Sequence, residues 1–423
     1  MKILWITNIL FPEPLAYLTG CGEIKGGGGW MTASADFLAH SESISLIIAT
    51  VSPIVNSLTE VQGKRIKYYV LPYGRGNKYY NPDYEHFFQL IQRKENPDVV
   101  HIHGTEFTHG LAYVNACGNK NVVVSIQGMK SVISDYYCAG ISLKERLQNI
   151  TIRDILKGGI GHEAKEFAKQ GQCEIELIRK VKHVIGRTDW DRAHTWAYNN
   201  NIIYHHCDET LRAEFYTSRK WDYNHCQKHS IFLSQAWYPL KGAHQVLKAT
   251  AFLLEKYPDL EICIAGDDVT QYANFMGLIH YTTYARYFIR LINSCQLKNK
   301  VKFLGSLSTQ EMIDEYLKCN VFICPSSIEN SPNSLGEAQV LGTPCIASYA
   351  GGIPTMMKGL EKYLYRFDDV TALSYLIDSI FTLESNYEGN ICDATLRHNA
   401  LRNNSELLNI YQSVIKNVYC NNN

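Results

Sequence analysis

"VFICPSSIENSPNSLGEAQVLGTPCIASYAGGIP", residues 321–354, carries the strongest structural signal in the chain. The apolar run VFIC predicts a buried β-strand, NSLGEAQVLG predicts a helix that begins just after Pro332, and PCIAS predicts a second strand. Two carboxylates, Glu329 and Glu337, lie among small and apolar residues with seven residues between them. Because acidic side chains usually lie on solvated faces, this placement calls for a chemical explanation.

The same alternation of apolar runs and helix-period segments extends in both directions from this stretch. Continuous apolar runs are typical of parallel strands that are covered on both faces, and their alternation with helices indicates βα units. We therefore predict an α/β protein with two doubly wound, Rossmann-like domains that face each other across a cleft. The predicted strands are KILWITNIL, SLIIAT, IKYYVLP, DVVHIHG, NVVVSIQG, HVIGRT, NIIYHHC, SIFLSQAW, EICIAGDD, VKFLG, VFICPSS and PCIASYA.

The polar, aperiodic run DETLRAEFYTSRKWDYNHCQKH, residues 208–229, divides the two halves. We predict an N-terminal domain over 1–207, a linker over 208–229 and a C-terminal domain over 230–404. The last helical run, 405–423, is expected to pack back on the N-terminal domain.

The composition indicates a globular protein whose net charge gives it no overall attraction to nucleic acid or to other highly charged partners. Among 423 residues, Lys plus Arg and Asp plus Glu each number 41, so the formal net charge is zero, and 46% of residues are hydrophobic. This balance argues against nucleic-acid binding. No stretch approaches the roughly 18 apolar residues of a membrane span, and MKILWITNIL resembles a first strand rather than a signal peptide. With 13 scattered cysteines, the expectation is a cytoplasmic protein with reduced thiols.

The glutamate pair can be interpreted as part of a nucleotide-sugar site. Ser331 is the predicted N-cap of the helix, and the free N–H groups of its first turn, Asn333 to Leu335, can hold a phosphate. A carboxylate such as Glu337 can accept hydrogen bonds from vicinal hydroxyls, as on a ribose. The alternative for Glu337 is simple stabilisation of the helix N-terminus by an acidic side chain.

With these residues in view, the chain resembles the retaining glycosyltransferases of family 4, which have the GT-B fold. The resemblance rests on the Glu–seven residues–Glu spacing, the Gly-x-Pro turn and GGIP, together with SQAWYPLKG, IAGDD, VKFLG, GGGGWM and PDVVHIHG in order along the chain. It implies a UDP- or GDP-sugar as co-substrate, with no cofactor and no metal ion. It also implies that the domain over 1–207 binds the acceptor and that the domain over 230–404 binds the nucleotide sugar.

The resemblance also implies roles for individual residues. Glu337 would bind the nucleotide ribose, and Glu329 would contact hydroxyls of the donor sugar. Lys241 in YPLKG would neutralise the leaving diphosphate. Backbone groups of the first helical turn would meet the diphosphate and the sugar, and the other donor-binding positions implied are Asn333, Ser334, Leu335, Gln235, Gly28, Gly29 and Leu307.

Two positions depart from the family pattern. Ser234-Gln235 stands where the family has Gly-Arg, and Gln127 stands where many relatives have a histidine. Gln127 can form hydrogen bonds with a sugar hydroxyl or an oxyanion but carries no charge, and it is retained as a catalytic candidate. Arg187 and Arg192 are the first candidates for the missing cation, with a structural ion pair to Asp189 or Asp191 as the alternative.

Further candidates have weaker signals. The tetraglycine that includes Gly28 and Gly29 permits close approach of backbone to phosphate, although it could equally be a flexible loop. His103 and Glu106 follow a strand end and could line the acceptor pocket. A zinc site is disfavoured because the spacing of its candidate ligands is irregular; those ligands are His205, His206, Cys207, His225, Cys226 and His229.

We therefore predict transfer of a sugar from a nucleotide diphosphate to a hydroxyl acceptor with retention, in the synthesis of a surface polysaccharide or a lipid-linked oligosaccharide. The acceptor is expected to be a saccharide or a lipid-linked saccharide. Residues 141–184 could touch the inner face of the cell membrane or could form an ordinary solvated helical region. The alternatives are a nucleotide-sugar epimerase of the same fold and a nucleotide-sugar-binding pseudoenzyme.

Overall fold

A computed structural model describes residues 1–20, 29–73, 79–271, 280–383 and 387–420. The chain forms two compact units. Unit 1 comprises residues 1–132, 167–211 and 398–423, and unit 2 comprises residues 133–166 and 212–397. The sequence prediction had placed residues 133–166 in the N-terminal domain and a linker at 208–229, so both assignments differ from the units that the structure shows.

Unit 1 is built on a sheet of eight described strands. The strand order is β3-β4-β2-β1-β5-β6-β7-β8, and every pair is parallel except β3 with β4. The strands are β1 (Lys2–Thr7), β2 (Ser45–Ser52), β3 (Thr59–Gln62), β4 (Lys67–Pro72), β5 (Val99–His103), β6 (Val122–Ser125), β7 (His183–Gly186) and β8 (Ile203–His206).

Helices cover both faces of this sheet. The described helices with residues in unit 1 are α1 (Pro12–Thr19), α2 (Gly29–Ala39), α3 (Asp83–Glu95), α4 (His109–Cys117), α5 (Lys130–Tyr136), α8 (Ile160–Lys180), α9 (Asp189–Tyr198) and α18 (Ala400–Cys420). The last of these overlaps the predicted terminal helix, 405–423, of which residues 421–423 lie outside the described residues. Its Tyr411 is fully buried in a core cluster with Ile3 and Trp5, and the Trp5 indole donates a hydrogen bond to the Tyr411 hydroxyl at 2.8 Å.

Unit 2 is built on a parallel sheet with the order β11-β10-β9-β12-β13-β14. Its strands are β9 (Ser230–Leu233), β10 (Glu261–Ile264), β11 (Val301–Phe303), β12 (Val321–Cys324), β13 (Cys345–Ser348) and β14 (Leu364–Tyr365). Its described helices are α6 (Leu143–Gln148), α7 (Ile152–Lys157), α10 (Glu214–Thr217), α11 (Ala243–Ala251), α12 (Thr283–Ser294), α13 (Thr309–Lys318), α14 (Asn333–Leu341), α15 (Ile353–Met356), α16 (Val370–Thr382) and α17 (Ile391–Arg397).

In each sheet the strand order reverses at one internal position. The reversal falls between β1 and β5 in unit 1 and between β9 and β12 in unit 2. Loops that leave the carboxyl ends of two such strands diverge to opposite faces of the sheet, which opens a crevice where ligands bind in α/β proteins. The topology therefore gives each unit one preferred position for a site. No helix in the described residues is long and apolar enough to cross a membrane.

Candidate functional site

The crevice of unit 2 holds a lysine–glutamate ion pair. Glu329 lies in the loop after β12, and its side chain is half-buried. The ammonium group of Lys241 and the hydroxyl of Ser326 both donate to Oε1 of Glu329, the latter at 3.1 Å. Lys241 ends a short 3₁₀ turn in the segment that follows β9. The two residues thus lie in the segments that follow β9 and β12, the two strands that border the reversal of strand order.

The charge of Lys241 is stabilised in place. Burial by itself would lower the pKa of the Lys241 ammonium, but the Glu329 carboxylate and the Tyr238 hydroxyl hold it above the ordinary value. Lys241 is therefore a permanent cation at neutral pH.

Two glycines allow the backbone on either side of this pair to pack tightly. Gly242 has φ +70°, and a Cβ built there would lie 1.7 Å from the carbonyl oxygen of Pro325. Gly351 has φ +54°, and its Cβ would lie 1.9 Å from the carbonyl oxygen of Glu329, which also accepts the N–H of Gly352 at 2.8 Å. Any side chain at either glycine would displace the loop that carries Glu329.

Glu337 forms a second ion pair in the same unit. It is buried on α14, and its Oε1 accepts a hydrogen bond from the Arg212 guanidinium at 2.9 Å. The same guanidinium donates to the hydroxyl of Thr309 at 3.0 Å, and the hydroxyl of Tyr316 donates to Oε2 of Glu337 at 3.2 Å. The alternative that Glu337 is only an acid near a helix N-terminus is therefore incomplete, because the carboxylate has a specific cationic partner.

Burial raises the pKa of the Glu337 carboxyl above its ordinary value. The charge of Arg212 and the hydrogen bonds from Arg212 and Tyr316 oppose this effect by stabilising the carboxylate. The ionisation state of Glu337 thus depends on Arg212, a residue that the sequence prediction had assigned to the linker.

Helix α14 begins at Asn333, directly after Pro332 as predicted, but its N-cap lies one residue later than predicted. Pro332 has an extended backbone (φ −67°, ψ 116°) and occupies the N-cap position, so the prediction of Ser331 as N-cap is wrong. The N–H of Leu335 donates to the carbonyl oxygen of Pro332 at 3.0 Å and is not free, contrary to the prediction. Within the described residues, the side-chain oxygen of Asn333 is buried without a hydrogen-bond partner.

The remaining predicted donor residues lie at the same edge of the sheet in unit 2. Gln235 follows the carboxyl end of β9 and is half-buried, and Leu307 follows β11 directly before the capping box at Ser308. Ser334 is half-buried in the first turn of α14, where its carbonyl oxygen accepts the Tyr316 hydroxyl at 3.0 Å. The structure therefore groups these residues with both ion pairs at the carboxyl edge of one sheet.

The crevice of unit 1 brings together a different set of polar side chains. A Cβ built on Gly104, which follows β5, would lie 2.3 Å from Oε2 of Glu106, 2.7 Å from Nδ2 of Asn8 and 3.4 Å from Gln127. Burial raises the pKa of the Glu106 carboxyl. Its Oε1 accepts the N–H of Gly128 at 2.8 Å, while its Oε2 is buried without a hydrogen-bond partner in the described residues. Asn8 was not predicted, although its place directly after the first strand was a usable signal.

Arg187 and His103 are buried in unit 1. The Arg187 guanidinium forms an ion pair with Glu209 at 2.6 Å and donates to Oε1 of Gln127 at 3.1 Å. The predicted structural partners, Asp189 and Asp191, do not supply this ion pair; Asp191 instead accepts the backbone N–H of Arg187 at 2.8 Å.

The imidazole of His103 packs 3.7 Å from that of His101 and 4.3 Å from the Trp5 ring, measured between centroids. Burial and the neighbouring charges of His101 and Arg187 hold the pKa of His103 well below its ordinary value, so its ring is neutral. Arg192 is exposed on α9, where its guanidinium lies 5.5 Å from the centre of the Tyr204 ring.

The tetraglycine and the candidate zinc ligands are the remaining predicted features. Gly28 lies outside the described residues, and Gly29 is the first residue of α2. Among the residues that the structure describes, no group of three His, Cys, Asp or Glu side chains is arranged to hold a metal ion. His225 instead bonds to Asp222, and His229 to Asp259.

Part of the chain is similar to known glycosyltransferases. Residues 219–395 match the family described as Glycosyl transferases group 1. The chain is 28% identical over 116 residues to the D-inositol 3-phosphate glycosyltransferase of Corynebacterium diphtheriae, covering 27% of this chain and 25% of that protein. It is 28% identical over 146 residues to the GDP-mannose-dependent monoacylated alpha-(1-6)-phosphatidylinositol monomannoside mannosyltransferase of Corynebacterium glutamicum, covering 33% of this chain and 34% of that protein. The matched segments thus span about a quarter to a third of these relatives.

Similarity to solved structures extends over nearly the whole chain. Anabaena HepE, determined in complex with UDP and glucose, superposes with a TM-score of 0.65 at 14% identity, covering 98% of this chain and 100% of that one. Sucrose-phosphate synthase from Thermosynechococcus elongatus superposes with a TM-score of 0.63 at 15% identity, covering 98% and 96%. The fold is GT-B. The predicted fold class is confirmed, and the matched family segment lies within unit 2, where both glutamate ion pairs are found.

Proposed function

We propose that the protein is a retaining glycosyltransferase that transfers a sugar from a nucleotide diphosphate to a hydroxyl acceptor without a metal ion. The observation that carries the proposal is the arrangement in unit 2. Two carboxylates that are each paired with a cation, Glu329 with Lys241 and Glu337 with Arg212, lie beside the N-terminus of α14 at the reversal of strand order. This combination suits a ligand with both hydroxyl groups and a diphosphate.

In the proposed complex, each part of the donor has a partner of matching chemistry. The ribose hydroxyls donate to the Glu337 carboxylate, and the sugar hydroxyls donate to Glu329. The diphosphate accepts from Lys241 and from the first turn of α14, where Asn333 and Ser334 lie. The nucleotide base and the sugar are those of a UDP- or GDP-sugar, a choice supported by the UDP in the HepE complex and by the GDP-mannose dependence of the C. glutamicum relative.

The chemistry follows from charge development. As the glycosidic bond to the diphosphate breaks, negative charge grows on the departing oxygen, and donors that are already oriented stabilise it at little reorganisation cost. Lys241 and the N-terminus of α14 supply those donors. The acceptor hydroxyl attacks the same face of the sugar, and its proton passes to the leaving phosphate, so the step requires no separate base.

The acceptor is assigned to unit 1. There Oε2 of Glu106, which has no hydrogen-bond partner in the part of the chain that the structure describes, lies beside the positions of Asn8 and Gln127. These three side chains can bind the hydroxyls of a saccharide. A lipid-linked saccharide at the inner face of the cell membrane is the proposed acceptor class, which the phosphatidylinositol-linked acceptor of the C. glutamicum relative supports.

A two-stage experiment tests this function. A panel of UDP- and GDP-sugars is first screened for protection against thermal unfolding, and binding of the best one is then measured by calorimetry in the wild type and in Glu337→Gln. We expect the substitution to weaken binding about tenfold or more, because a hydrogen bond to a charged acceptor contributes about 1.5–3 kcal/mol. Unchanged affinity would remove Glu337 from the site.

The second stage separates the alternatives. Incubation with the donor alone should leave its sugar unchanged, since isomerisation would indicate an epimerase. Incubation with the donor and lipid-linked acceptors should give a product that keeps the anomeric configuration. Binding without turnover on any acceptor would support the pseudoenzyme, and an inverted product would refute retention.

A further inference from the structure

Two short helices of unit 2 expose an unusual amount of apolar surface. The segment from Ile141 to Lys157, called here the α6–α7 segment, contains six aliphatic side chains that are between 43% and 76% exposed. Scattered single exposed aliphatics are normal, whereas six within 17 residues form a patch that calls for a partner. The six residues are Leu143, Leu147, Ile150, Ile152, Ile155 and Leu156.

The two acidic side chains of the same segment contact α12 and fix this orientation. Asp154 is buried, and its carboxylate accepts from the backbone N–H and the hydroxyl of Thr283 at the start of α12 and from Thr151 at 3.0 Å. Glu145 accepts the hydroxyl of Tyr287 at 3.0 Å. Because these two acids bond to residues of α12, the opposite faces of α6 and α7, which carry the aliphatic side chains, are directed outward.

Two arginines of α12 fasten the backbone that bears the patch. Arg286 donates to the carbonyl oxygen of Ile150 and Arg290 to that of Gln148, each at 2.9 Å. Together with the buried carboxylate of Asp154, these bonds hold the segment in a defined position on unit 2. The outward direction of the aliphatics is therefore a consequence of specific polar contacts.

The charge around the patch is positive. The segment contains four basic residues, and α12 adds two arginines to its border. Both acids of the segment have cationic partners, since Asp154 pairs with Arg153 at 2.8 Å and Glu145 lies 3.8 Å from Lys248. The segment therefore carries a local positive excess, whereas the whole chain is neutral. The basic residues of the segment are Lys144, Arg146, Arg153 and Lys157.

We propose that the α6–α7 segment docks on an anionic lipid bilayer. Aliphatic side chains inserted between headgroups, with lysines and arginines at the level of the phosphates, are the combination by which amphipathic surfaces bind membranes. Long basic side chains keep their charge at the interface while their methylene groups enter the apolar layer. A lipid-linked acceptor, which rests on the proposed function, gives this docking a purpose, but the docking itself is measured without donor or acceptor.

The test compares two triple variants of the full chain. Leu147→Ser with Ile155→Ser and Leu156→Ser changes the patch, and Phe252→Ser with Leu396→Ser and Leu401→Ser changes three residues of matched exposure elsewhere. Binding is measured by co-sedimentation with vesicles of phosphatidylcholine alone or mixed with phosphatidylglycerol. Because burial of aliphatic side chains in lipid favours binding, the patch variant should lose at least about tenfold in partitioning. The control triple should bind like the wild type.

The charge is tested separately with Lys144→Gln and Lys157→Gln. Each should weaken binding to the mixed vesicles about fivefold, equivalent to about 1 kcal/mol per basic residue, and high salt should reduce the difference between the two vesicle types. Binding of the wild type to neither vesicle overturns the proposal, as does equal binding by the patch variant. A wild type that ignores vesicles but dimerises in solution, with the patch variant monomeric, would make the surface a contact between copies and would also overturn it.

Failure of docking and failure of the proposed function have different signatures. Calorimetry with the nucleotide sugar should give the same affinity in the wild type and in the patch variant. If no nucleotide sugar binds the wild type while vesicles do, the docking stands and the proposed function falls. If the donor binds and vesicles do not, the reverse holds.

Discussion

Removal of Arg212 should change both stability and nucleotide binding in a pH-dependent way. In Arg212→Met the buried Glu337 carboxylate keeps its hydrogen bond from Tyr316 but loses its cation. Loss of one partner from a fully buried ion pair costs about 3–5 kcal/mol. The Arg212 side chain is 32% exposed, so solvent screens part of the interaction, and we expect a loss of about 2 kcal/mol at neutral pH.

The sign of the pH dependence follows from the pKa of Glu337. Burial already raises this pKa in the folded protein, and removal of Arg212 should raise it further. A raised carboxyl pKa means that the folded state favours the protonated form. Its stabilising contribution is complete below the unfolded pKa and is lost as the pH rises through the folded pKa. The destabilisation caused by Arg212→Met should therefore be largest at neutral pH and should shrink as the pH falls.

Urea unfolding of four proteins over a range of pH provides the measurement. They are the wild type, Arg212→Met, Glu337→Gln and the double variant. In the Glu337→Gln background, Arg212→Met should cost little, because no buried carboxylate remains to be compensated. Nucleotide affinity should fall about tenfold in Arg212→Met at neutral pH and recover in part in Arg212→Lys. A cost of Arg212→Met that is the same at every pH and in both backgrounds would refute the reasoning.

Three further predictions concern Lys241, the neighbouring Gly242 and the metal independence of the proposed reaction. Lys241→Ala should lower turnover by about a thousandfold or more, since one donor to a developing oxyanion commonly contributes a hundred- to a thousandfold; steady-state kinetics that retain most of the turnover would place the charge elsewhere. Gly242→Ala should lower the free energy of unfolding by more than about 2 kcal/mol, whereas Gly359→Ala should cost about 1 kcal/mol. Both glycines have positive φ, but a Cβ meets the Pro325 carbonyl at 1.7 Å only at Gly242, so equal melting temperatures would contradict this account. Activity should survive EDTA, and loss with rescue by an added divalent cation would refute metal independence.

The sequence contained enough information for the fold because parallel strands buried on both faces are continuous apolar runs. Eleven of the twelve predicted runs contain a whole strand, and the twelfth, SLIIAT, contains the first six of the eight residues of β2. The two strands that were missed, β3 and β14, are an edge strand with the sequence TEVQ and a two-residue pairing. Neither leaves an apolar run long enough to recognise.

The assignment of chain segments to the two units was harder to predict from the sequence. Residues 133–166 cluster with unit 2 although the chain on either side of them belongs to unit 1. Their association depends on particular polar contacts, such as that of Asp154 with Thr283, which lies 129 positions away. Hydrophobic periodicity carries no information about such partners.

The candidate site residues of the loop between β12 and α14 could be predicted because a strand, a helix start and two carboxylates occur within one short stretch.

Arg212 illustrates what could have been found. Arg187 and Arg192 were predicted to replace the arginine missing at Gln235 because both lie near the end of an apolar strand. A carboxylate on the apolar helix of Glu337 also requires a compensating cation, and the polar run after residue 207 offers arginines for that role. In the structure the cation is Arg212, which lies 125 positions from Glu337 in the sequence.

The two ion pairs also constrain how a donor can bind. Lys241 and Arg212 each already contact a glutamate, so unit 2 presents two neutral pairs rather than two unpaired cations. A diphosphate that takes Lys241 as a partner must share it with Glu329, and the sugar hydroxyls that donate to Glu329 compensate that carboxylate for the weakened contact. In the proposed site, binding of the diphosphate and binding of the sugar hydroxyls therefore favour each other. An inorganic diphosphate, which has no hydroxyls to offer Glu329, should bind far more weakly than a nucleotide sugar, and calorimetry with both ligands on the wild type and on Glu329→Gln would show whether that difference depends on Glu329.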